Sequence, residues 1–212
     1  ILLMETILIA DAHQIVRLGI RAILENRPEQ FTLIEAATCS EVMKLLSSQP
    51  VQYIILEMFL ADGNIFSLAN QFMQNIPSAS VLVYSLNEKL YARRLMQKGI
   101  RGFVSKKASV HELENAIECL LKGEIYLSAA MKEDLFRPGK SDLYTNPIDT
   151  LSDRELEVIE YVAAGIGSTE IAEKMKLEVA TISTYRRRAF DKLRVKNIVE
   201  LKDKFLLYKM QG

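Results

Sequence analysis

The sequence predicts an α/β fold: a doubly wound, five-stranded parallel sheet followed by a small all-α domain of four helices. Through about residue 127, short β-branched runs alternate with longer amphipathic stretches, which is typical of strands buried between layers of helices. From residue 151 onward, every apolar pattern has a helical period and the connections are short. We therefore expect one domain over residues 1–127, a linker over 128–148 and a second domain over 149–212.

Five strand-and-helix units account for the first domain. The predicted strands read TILIA, FTLIEA, YIILE, SVLVYS and GFVSK. The helices that follow them read QIVRLGIRAILEN, SEVMKLLSS, NIFSLANQFMQN, KLYARRLMQKG and SVHELENAIECLLKG, with apolar residues three and four positions apart. Such alternation is the pattern of a doubly wound sheet. The linker contains two prolines and a glycine without a sustained period, and it could start as a helical turn around AAMKEDLF.

Composition excludes several classes of protein. Lysine plus arginine and aspartate plus glutamate both number 27, so no overall charge draws the chain to nucleic acid or to a membrane, and any site for a polyanion must be local. Cys39 and Cys119 have no metal-type spacing, which favours a reduced, cytoplasmic setting over a disulfide. The apolar ILLMETILIA lacks a basic start and meets Asp11 before it could span a membrane, so it is interpreted as the first strand.

The second domain has the pattern of a helix-turn-helix. Its helices read SDRELEVIEYVAAG, STEIAEKM, ATISTYRRRAFDKL and NIVELKDKFLLYKM. Ser152 and Glu155 fit a capping box at the first helix, and Ser168 or Thr169 could cap the second. The tight KLEV connection leaves the third helix at the surface, where it could enter a major groove.

Positive charge is concentrated on this third helix. Residues 181–197 hold six arginines and lysines against Asp191, whereas residues 149–212 hold 12 basic against 11 acidic residues, a net charge of only +1. Arginine can contact guanine edges, and hydroxyl groups and lysine bind phosphates well. The alternative is a solvated face paired with neighbouring acids. The candidate DNA-binding residues are Thr181, Ser183, Thr184, Tyr185, Arg186, Arg187, Arg188 and Lys192.

The second domain resembles the LuxR-type helix-turn-helix. That family has LT-x-RE-x-EVL, G-x-S-x-x-EIA and T-V-x-x-H-x-x-x-I-x-x-KL-x-V, and this chain has LSDRELEV, GIGSTEIA and TISTYRRRAFDKLRV. It departs at Ser183, Tyr185 and Arg188, where lysine, histidine and asparagine are common. The resemblance implies DNA binding, and the departures bear on the preferred bases. The family's last helix commonly supports dimerisation, although here its apolar residues could equally pack onto their own domain: Ile198, Leu201, Phe205 and Leu206.

Four polar side chains mark the ends of predicted strands. Asp11, Glu57, Ser85 and Lys106 should meet at the carboxyl edge of the sheet, where open α/β sheets place their functional crevice. With ILIADAH-x-x-VR-x-GI, FVSKKAS and GEIYLS, this set resembles the flavodoxin-like receiver domain of a response regulator, and the whole chain resembles the NarL/FixJ type. The resemblance implies that Ser85 and Lys106 occupy the positions that contact a phosphoryl group.

The acidic positions depart from the receiver pattern. Family receivers hold Mg²⁺ with an acidic pair and phosphorylate an aspartate, but this chain has Ala12 after Asp11, Glu57 at the acceptor position and Ala61 where proline is usual. We expect no metal and no switching by the ordinary aspartate phosphorylation cycle. Glu57 should instead place a fixed negative charge near Lys106. Alternatively, Glu57 is a solvated acid at the end of a strand.

The resemblance thus predicts a bacterial, cytoplasmic transcription regulator that binds double-stranded DNA as a homodimer and uses no cofactor. Phe103 matches an aromatic whose rotamer reports activation in related receivers, or it is simply a core residue. Two alternatives remain: phosphorylation by a sensor kinase or small donor at Glu57 or a nearby acid, and a receiver that mainly captures a protein partner. We expect no enzyme, because no nucleophile and base pair, zinc spacing or phosphate-binding glycine loop is present.

Overall fold

The computed structural model describes residues 4–64, 79–86, 88–128, 131–132 and 147–211. The chain divides into two compact units, Ile1–Phe136 and Arg137–Gly212. The third predicted helix, NIFSLANQFMQN, lies outside the described residues except for Asn64. Most of the predicted linker also lies outside them.

The first unit follows the predicted alternation of strands and helices. Its elements are β1 (Thr6–Ala10), α1 (Gln14–Glu25), β2 (Thr32–Ala36), α2 (Cys39–Ser48), β3 (Tyr53–Leu56), β4 (Phe59–Leu60), β5 (Gly63–Asn64), β6 (Ser80–Ser85), α3 (Glu88–Gln97), β7 (Gly102–Ser105), α4 (Val110–Leu121) and β8 (Tyr126–Leu127). The main sheet is parallel with strand order β2-β1-β3-β6-β7-β8. Chain order therefore reverses between β1 and β3, which places a crevice at their carboxyl ends.

The predicted strand count of five was wrong by one. Tyr126 and Leu127 form β8, which pairs in parallel with Gly102 and Phe103 at the edge of the sheet. A strand of two residues carries no alternation that a sequence pattern could reveal, so its pairing depends on the tertiary structure. Asn64 likewise differs from its predicted place at a helix start, because it pairs with Phe59 in a two-stranded hairpin.

The strands are buried because helices cover them. β1 is buried at every residue, as its unbroken apolar sequence predicts. On one face, Ile20 and Leu24 of α1 and Leu113 and Ile117 of α4 share a core cluster with Ile9. Side chains also fix helix starts: the Thr38 hydroxyl accepts from the Glu41 amide at α2, and the Ser109 hydroxyl accepts from the Glu112 amide at α4.

The second unit contains a short 3₁₀ helix (Pro147–Thr150) and four α-helices: α5 (Asp153–Ala163), α6 (Ser168–Met175), α7 (Val179–Leu193) and α8 (Ile198–Gln211). The capping box of Ser152 and Glu155 is confirmed. The predicted cap of α6 was wrong, because Gly167 is its N-cap and makes no side-chain bond. The helices enclose a core that includes Leu156, Ile159, Ile171, Ile182, Leu193 and Leu201.

Two further observations concern the chain as described. Cys39 and Cys119 are free cysteines. No helix among the described residues has the length and apolar character needed to cross a membrane.

Candidate functional site

The carboxyl ends of three strands bring Asp11, Glu57 and Lys106 together. The hydrogen-bonded ladder continues one residue beyond each strand: the Glu57 amide donates to the Ala10 carbonyl at 2.8 Å, and the Lys106 amide donates to the Ser85 carbonyl at 3.0 Å. Each of these polar side chains therefore starts from a position set by the sheet. The sheet, rather than the flanking loops, holds their Cα atoms at this edge.

The ammonium group of Lys106 lies between two buried carboxylates. Its Nζ is 2.5 Å from Asp11 Oδ2 and 2.6 Å from Glu57 Oε2. The side chain of Lys106 is 13% exposed, and those of Asp11 and Glu57 are 2% and 9% exposed. Charge-assisted contacts this short and this well shielded from water are among the stronger polar interactions in proteins.

The second oxygen of each carboxylate is also engaged. Glu57 Oε1 accepts from the Met58 amide at 2.5 Å and, at 3.4 Å, from the Phe59 amide. Asp11 Oδ1 accepts from the His13 amide at 2.8 Å, and His13 Nδ1 lies 3.2 Å from the same oxygen. The Glu57 carboxylate thus contacts the Lys106 ammonium with one oxygen and accepts hydrogen bonds from the Met58 and Phe59 amides with the other.

The charged groups of the pocket shift the pKa values of Lys106 and Tyr84. Burial on its own would lower the pKa of Lys106, but hydrogen bonds from its ammonium to Asp11 and Glu57 outweigh it and raise the pKa. Lys106 Nζ also lies 5.8 Å from the centroid of the Tyr84 ring. Burial raises the pKa of Tyr84, Asp11 and Glu57 add to the rise, and Lys106 opposes it. The ammonium is therefore held in its charged form at neutral pH.

Two residues that the sequence did not single out hold the loops around this pocket. Arg17 Nη1 donates to the Asp11 carbonyl at 2.7 Å while its Nε donates to Glu35 at 2.9 Å. Asp62 Oδ1 accepts from the Cys39 amide at 2.5 Å, and its Oδ2 accepts from the Ser40 amide and hydroxyl. The motif VR-x-GI contains Arg17, but sequence patterns did not show the partners of Arg17 or Asp62, which lie up to 23 residues away.

The two other predicted pocket residues are buried in adjacent strands. Ser85 ends β6 with 1% exposure, and its Cα is paired with Ser105 in the sheet register. Phe103 lies in β7 and is fully buried. The structure thus places Phe103 in the core, in the strand that leads to Lys106.

The candidate DNA-binding residues lie on α7 but divide into different environments. Ile182, Ala189 and Leu193 form the buried face of the helix. Ser183, Arg187 and Arg188 are exposed, whereas Thr181, Thr184, Tyr185 and Arg186 are half-buried. The hydroxyls of Ser183 and Thr184 donate to the carbonyls four residues earlier, both at 3.0 Å. Each hydroxyl has one proton, so in this rotamer it can only accept from a further group.

Arg186 and Lys192 face other parts of their own domain. The guanidinium of Arg186 lies 5.2 Å from the centroid of the Phe190 ring. Lys192 Nζ lies 2.6 Å from Glu155 Oε2, the oxygen that also accepts from the Ser152 amide at 2.7 Å. Burial would raise the pKa of Glu155, but the contact with Lys192 and the capping bonds lower it. The exposed guanidinium groups of α7 are therefore those of Arg187 and Arg188.

Comparison with protein families assigns both units. Residues 7–118 match the response regulator receiver domain, and residues 149–205 match the bacterial regulatory proteins of the luxR family. The first match alone covers more than half of the chain.

This chain belongs to the response regulator family.

The two matched domains define a two-component response regulator of the NarL/FixJ type, with a receiver domain followed by a DNA-binding LuxR-type domain. Fimbriae Z protein of Escherichia coli K12 is 27% identical over 206 residues, which cover 97% of this chain and 98% of that protein. Response regulator GacA of Pseudomonas aeruginosa is 28% identical over 204 residues, covering 93% and 94% of the two chains.

A solved structure extends the similarity to three dimensions. RcsB of Salmonella enterica serovar Typhimurium, bound to a promoter in the presence of the phosphomimetic BeF₃⁻, superimposes with a TM-score of 0.75. It is 26% identical, and the match covers 98% of this chain and 99% of RcsB. The likeness therefore includes both domains.

The pocket does not fit the magnesium ion that receivers of this family hold. Position 12 is an alanine, and the carboxylates of Asp11 and Glu57 each place an oxygen on the ammonium of Lys106. Among the residues that the structure describes, no three His, Cys, Asp or Glu side chains are grouped as metal ligands. Hard divalent cations need several oxygen ligands, and the described oxygens here already have other partners.

Proposed function

We propose that this protein is a transcription regulator whose receiver pocket holds a fixed charge pattern in place of a phosphorylation switch. Glu57 supplies the negative charge, and Lys106 supplies the counter-charge. The second domain binds operator DNA through α7, with Arg187 and Arg188 as its exposed arginines. In this proposal, the protein acts as a homodimer and does not depend on a sensor kinase.

The contact between Lys106 and Glu57 carries the proposal. Phosphoryl transfer needs an acceptor oxygen that is free to attack in line and a cation that neutralises the transferred group. Here Glu57 Oε2 is on Lys106 and Oε1 is on the Met58 amide. Transfer to Glu57 would have to break both contacts, in a pocket whose oxygens do not fit a magnesium ion.

The relatives support the DNA-binding half of the proposal. RcsB was bound to its promoter with BeF₃⁻ present, a phosphomimetic added from outside the chain. In this protein, the side chain of Glu57 would itself supply a negative charge in the receiver pocket. We infer that the operator is bound without an added phosphomimetic. Arg187 and Arg188 would supply contacts to guanine edges or phosphates from the major groove.

Phosphotransfer is tested by incubating the full chain with acetyl phosphate and Mg²⁺ and measuring its intact mass. The proposal predicts no phospho-adduct on the wild type. Glu57→Asp with Ala12→Asp, which restores the acids of the family pattern, is the matched comparison. A stable adduct on the wild type would contradict the proposal and favour the alternative in which Glu57 or a nearby acid is phosphorylated.

DNA binding is tested by genome-wide footprinting followed by affinity measurements on the recovered sites. Wild type, Glu57→Ala and Arg187→Ala are compared, with Arg101→Ala as an exposed arginine in the other domain. We expect Glu57→Ala and Arg187→Ala both to lose occupancy, Arg187→Ala by about 1–3 kcal/mol on the sites where it contacts a base. Loss with Arg187→Ala alone would remove the role proposed for Glu57, and binding that ignores sequence would favour a protein-interaction module.

A further inference from the structure

A cavity opens at the amino-terminal edge of the receiver sheet, opposite the edge that holds Lys106. It has a volume of about 330 Å³ and lies between the starts of β6, β7 and β8 and the inner face of α4. Among the described residues, its walls are rich in small ones: Ala79, Gly99, Gly102, Ala116 and Gly123. We name this space the amino-edge cavity. Small-molecule sites have volumes of about 300–1,000 Å³, so its size suits a single metabolite.

The backbone keeps the walls of the cavity small. Gly99 and Gly123 have positive φ angles of 94° and 69°, which favour glycine. A Cβ added to Gly102 would lie 2.8 Å from Leu82 Cδ1. Larger residues at these three positions would strain the backbone or displace a core side chain. The cavity is therefore a fixed feature of this edge of the sheet rather than the result of one rotamer.

The inner part of the cavity is apolar. Ala116 and Leu120 of α4 line it and are 0% and 4% exposed, and the Tyr126 side chain packs against the same core cluster. The Tyr126 hydroxyl donates to Glu112 Oε1 at 3.3 Å, and burial raises the pKa of Tyr126 to about 12, so the phenol is uncharged at neutral pH. Walls of this kind favour an apolar group of the ligand, which gains free energy when it leaves water.

The mouth of the cavity carries one charge of each sign. Arg101 directly precedes β7, Glu124 lies two residues before β8, and both are exposed lining residues. The Tyr126 amide donates to the Arg101 carbonyl at 3.2 Å, which holds these two strand starts side by side. Within the described part of the chain, neither charged side chain forms an ion pair or a hydrogen bond. A guanidinium and a carboxylate can therefore both receive a ligand at one opening.

We propose that the amino-edge cavity binds a free α-amino acid with an aliphatic side chain. Arg101 binds the carboxylate, Glu124 binds the ammonium group, and the aliphatic chain packs against Leu120 and the Tyr126 ring. Both charged groups of an α-amino acid are attached to one carbon, which suits opposite charges on neighbouring strands about 5 Å apart. A simple anion or cation would leave one charge of the mouth without a partner. Among the described lining residues no further charge is present to receive an acidic or basic side chain.

The inference goes beyond the proposed function and does not rest on it. The cavity lies at the edge of the sheet opposite Glu57 and contains no residue of α7. Because Arg101 and Glu124 face water, each contributes a modest share of the affinity. We expect the wild type to bind leucine with a Kd of about 1 mM.

Titration of the nitrogen-15-labelled full chain with leucine, followed by NMR, tests the site. The amide signals of Gly102 and Gly123 should shift and saturate, because both residues line the cavity. The amide signals of Met58 and Lys106, in the receiver pocket, should stay in place. Absence of a saturable shift up to about 10 mM leucine, or shifts centred on the receiver pocket, overturns the proposal.

Two leucine analogues that each lack one charge test the mouth. Without its amino group leucine is 4-methylpentanoate, and without its carboxylate it is 3-methylbutylamine; both should bind at least about threefold more weakly than leucine. Arg101→Gln should weaken the binding of leucine and 4-methylpentanoate about threefold and leave that of 3-methylbutylamine unchanged. Glu124→Gln should weaken leucine and the amine and leave the acid unchanged. An analogue that binds as tightly as leucine, or a variant that weakens both analogues equally, contradicts recognition of a zwitterion.

A variant of the wall tests the cavity itself. Ser80 lines the cavity at the start of β6 and is half-buried, so Ser80→Ile narrows the space and keeps a residue that favours strands. Leucine should bind at least about tenfold more weakly to this variant. Lys107→Gln and Glu114→Gln, at exposed positions outside the described lining, are the controls and should bind leucine as the wild type does. A folded Ser80→Ile protein, judged by its urea midpoint, that binds leucine like the wild type shows that the site lies elsewhere.

Discussion

Two lysines in this protein contact buried glutamates, but their surroundings differ in charge balance. In the receiver pocket, the single ammonium of Lys106 serves two carboxylates, Asp11 and Glu57. In the DNA-binding domain, Lys192 contacts one carboxylate among the residues that the structure describes, that of Glu155, and the Ser152 amide donates to the same oxygen. The second arrangement pairs one cation with one carboxylate and connects α7 to the first turn of α5. The first places two carboxylates on one ammonium, so a change at any one member affects the other two.

The largest effect should follow removal of the shared cation. Lys106→Met leaves two neighbouring carboxylates without their counter-ion, and we expect the free energy of unfolding of the receiver to fall by about 3 kcal/mol. Hydrogen exchange of the β3 and β7 peptides under increasing urea measures it domain by domain. Lys107→Met is the control, because Lys107 is the exposed neighbour.

A double variant separates repulsion from lost packing. Glu57→Gln added to Lys106→Met removes one of the two competing charges, so it should recover part of the lost stability. If the double variant is no more stable than Lys106→Met, repulsion between the two carboxylates is not the cause of the lost stability.

A smaller loss is expected from the neutral pair of the second domain. Glu155→Ala removes the contact with Lys192 and half of the capping box, but Lys192 is partly exposed and can turn to water. We expect α5 to be destabilised by about 2 kcal/mol, measured by the same exchange experiment on the α5 peptides. Glu173→Ala, at an exposed position of α6, should change little. If Glu155→Ala lowers the free energy of unfolding by more than Lys106→Met does, the receiver pocket is not the more sensitive of the two sites.

The loop that follows Glu57 should depend on Asp62 and on pH. Hydrogen bonds from Ser40 and Cys39 outweigh burial and lower the pKa of Asp62. Because the folded pKa lies below the unfolded value near 3.9, this contribution is present above about pH 4 and is lost as the pH falls through the folded value. Asp62→Asn should lower the free energy of unfolding by about 1 kcal/mol at pH 7. It should also weaken the fall of that free energy as the pH drops toward 3. Urea unfolding between pH 3 and 7 measures the free energy of unfolding and its pH dependence. Glu114→Gln is the control and should leave the pH dependence unchanged.

The smallest effect should come from an exposed lysine pair. Lys122 Nζ lies 2.6 Å from Glu118 Oε1, as close as Lys106 lies to Glu57, but both side chains are about half exposed. Solvent screens such a pair, so Lys122→Ala should leave the urea midpoint within experimental error. A shift approaching that of Lys106→Met would mean that distance, rather than burial and charge balance, sets the energy of these contacts.

Much of the fold and part of the candidate site could be predicted from local patterns. The apolar run of β1, the capping box at Ser152 and the helical periods of the second domain depend on neighbours along the chain, which a sequence displays directly. The two-residue strand β8 could not be predicted, because its partner Gly102 lies more than 20 residues away. The exposure of Ile15 and Leu18 on α1 also escaped prediction, since an apolar residue in a helical pattern does not reveal whether its domain covers it.

The sequence by itself determined the order of elements, the two-domain organisation that its patterns predict, and the residue types at the strand ends. Glu57 and Ala12 are departures that the printed chain displays without any structure. Strand order predicted that Asp11, Glu57 and Lys106 would meet, but only the tertiary structure decided that Lys106 contacts both carboxylates. It alone also decided that Lys192 reaches Glu155 across 37 residues. Local propensity acts over a few residues, whereas the energy of a buried charge depends on what the folded chain places within a few ångströms of it.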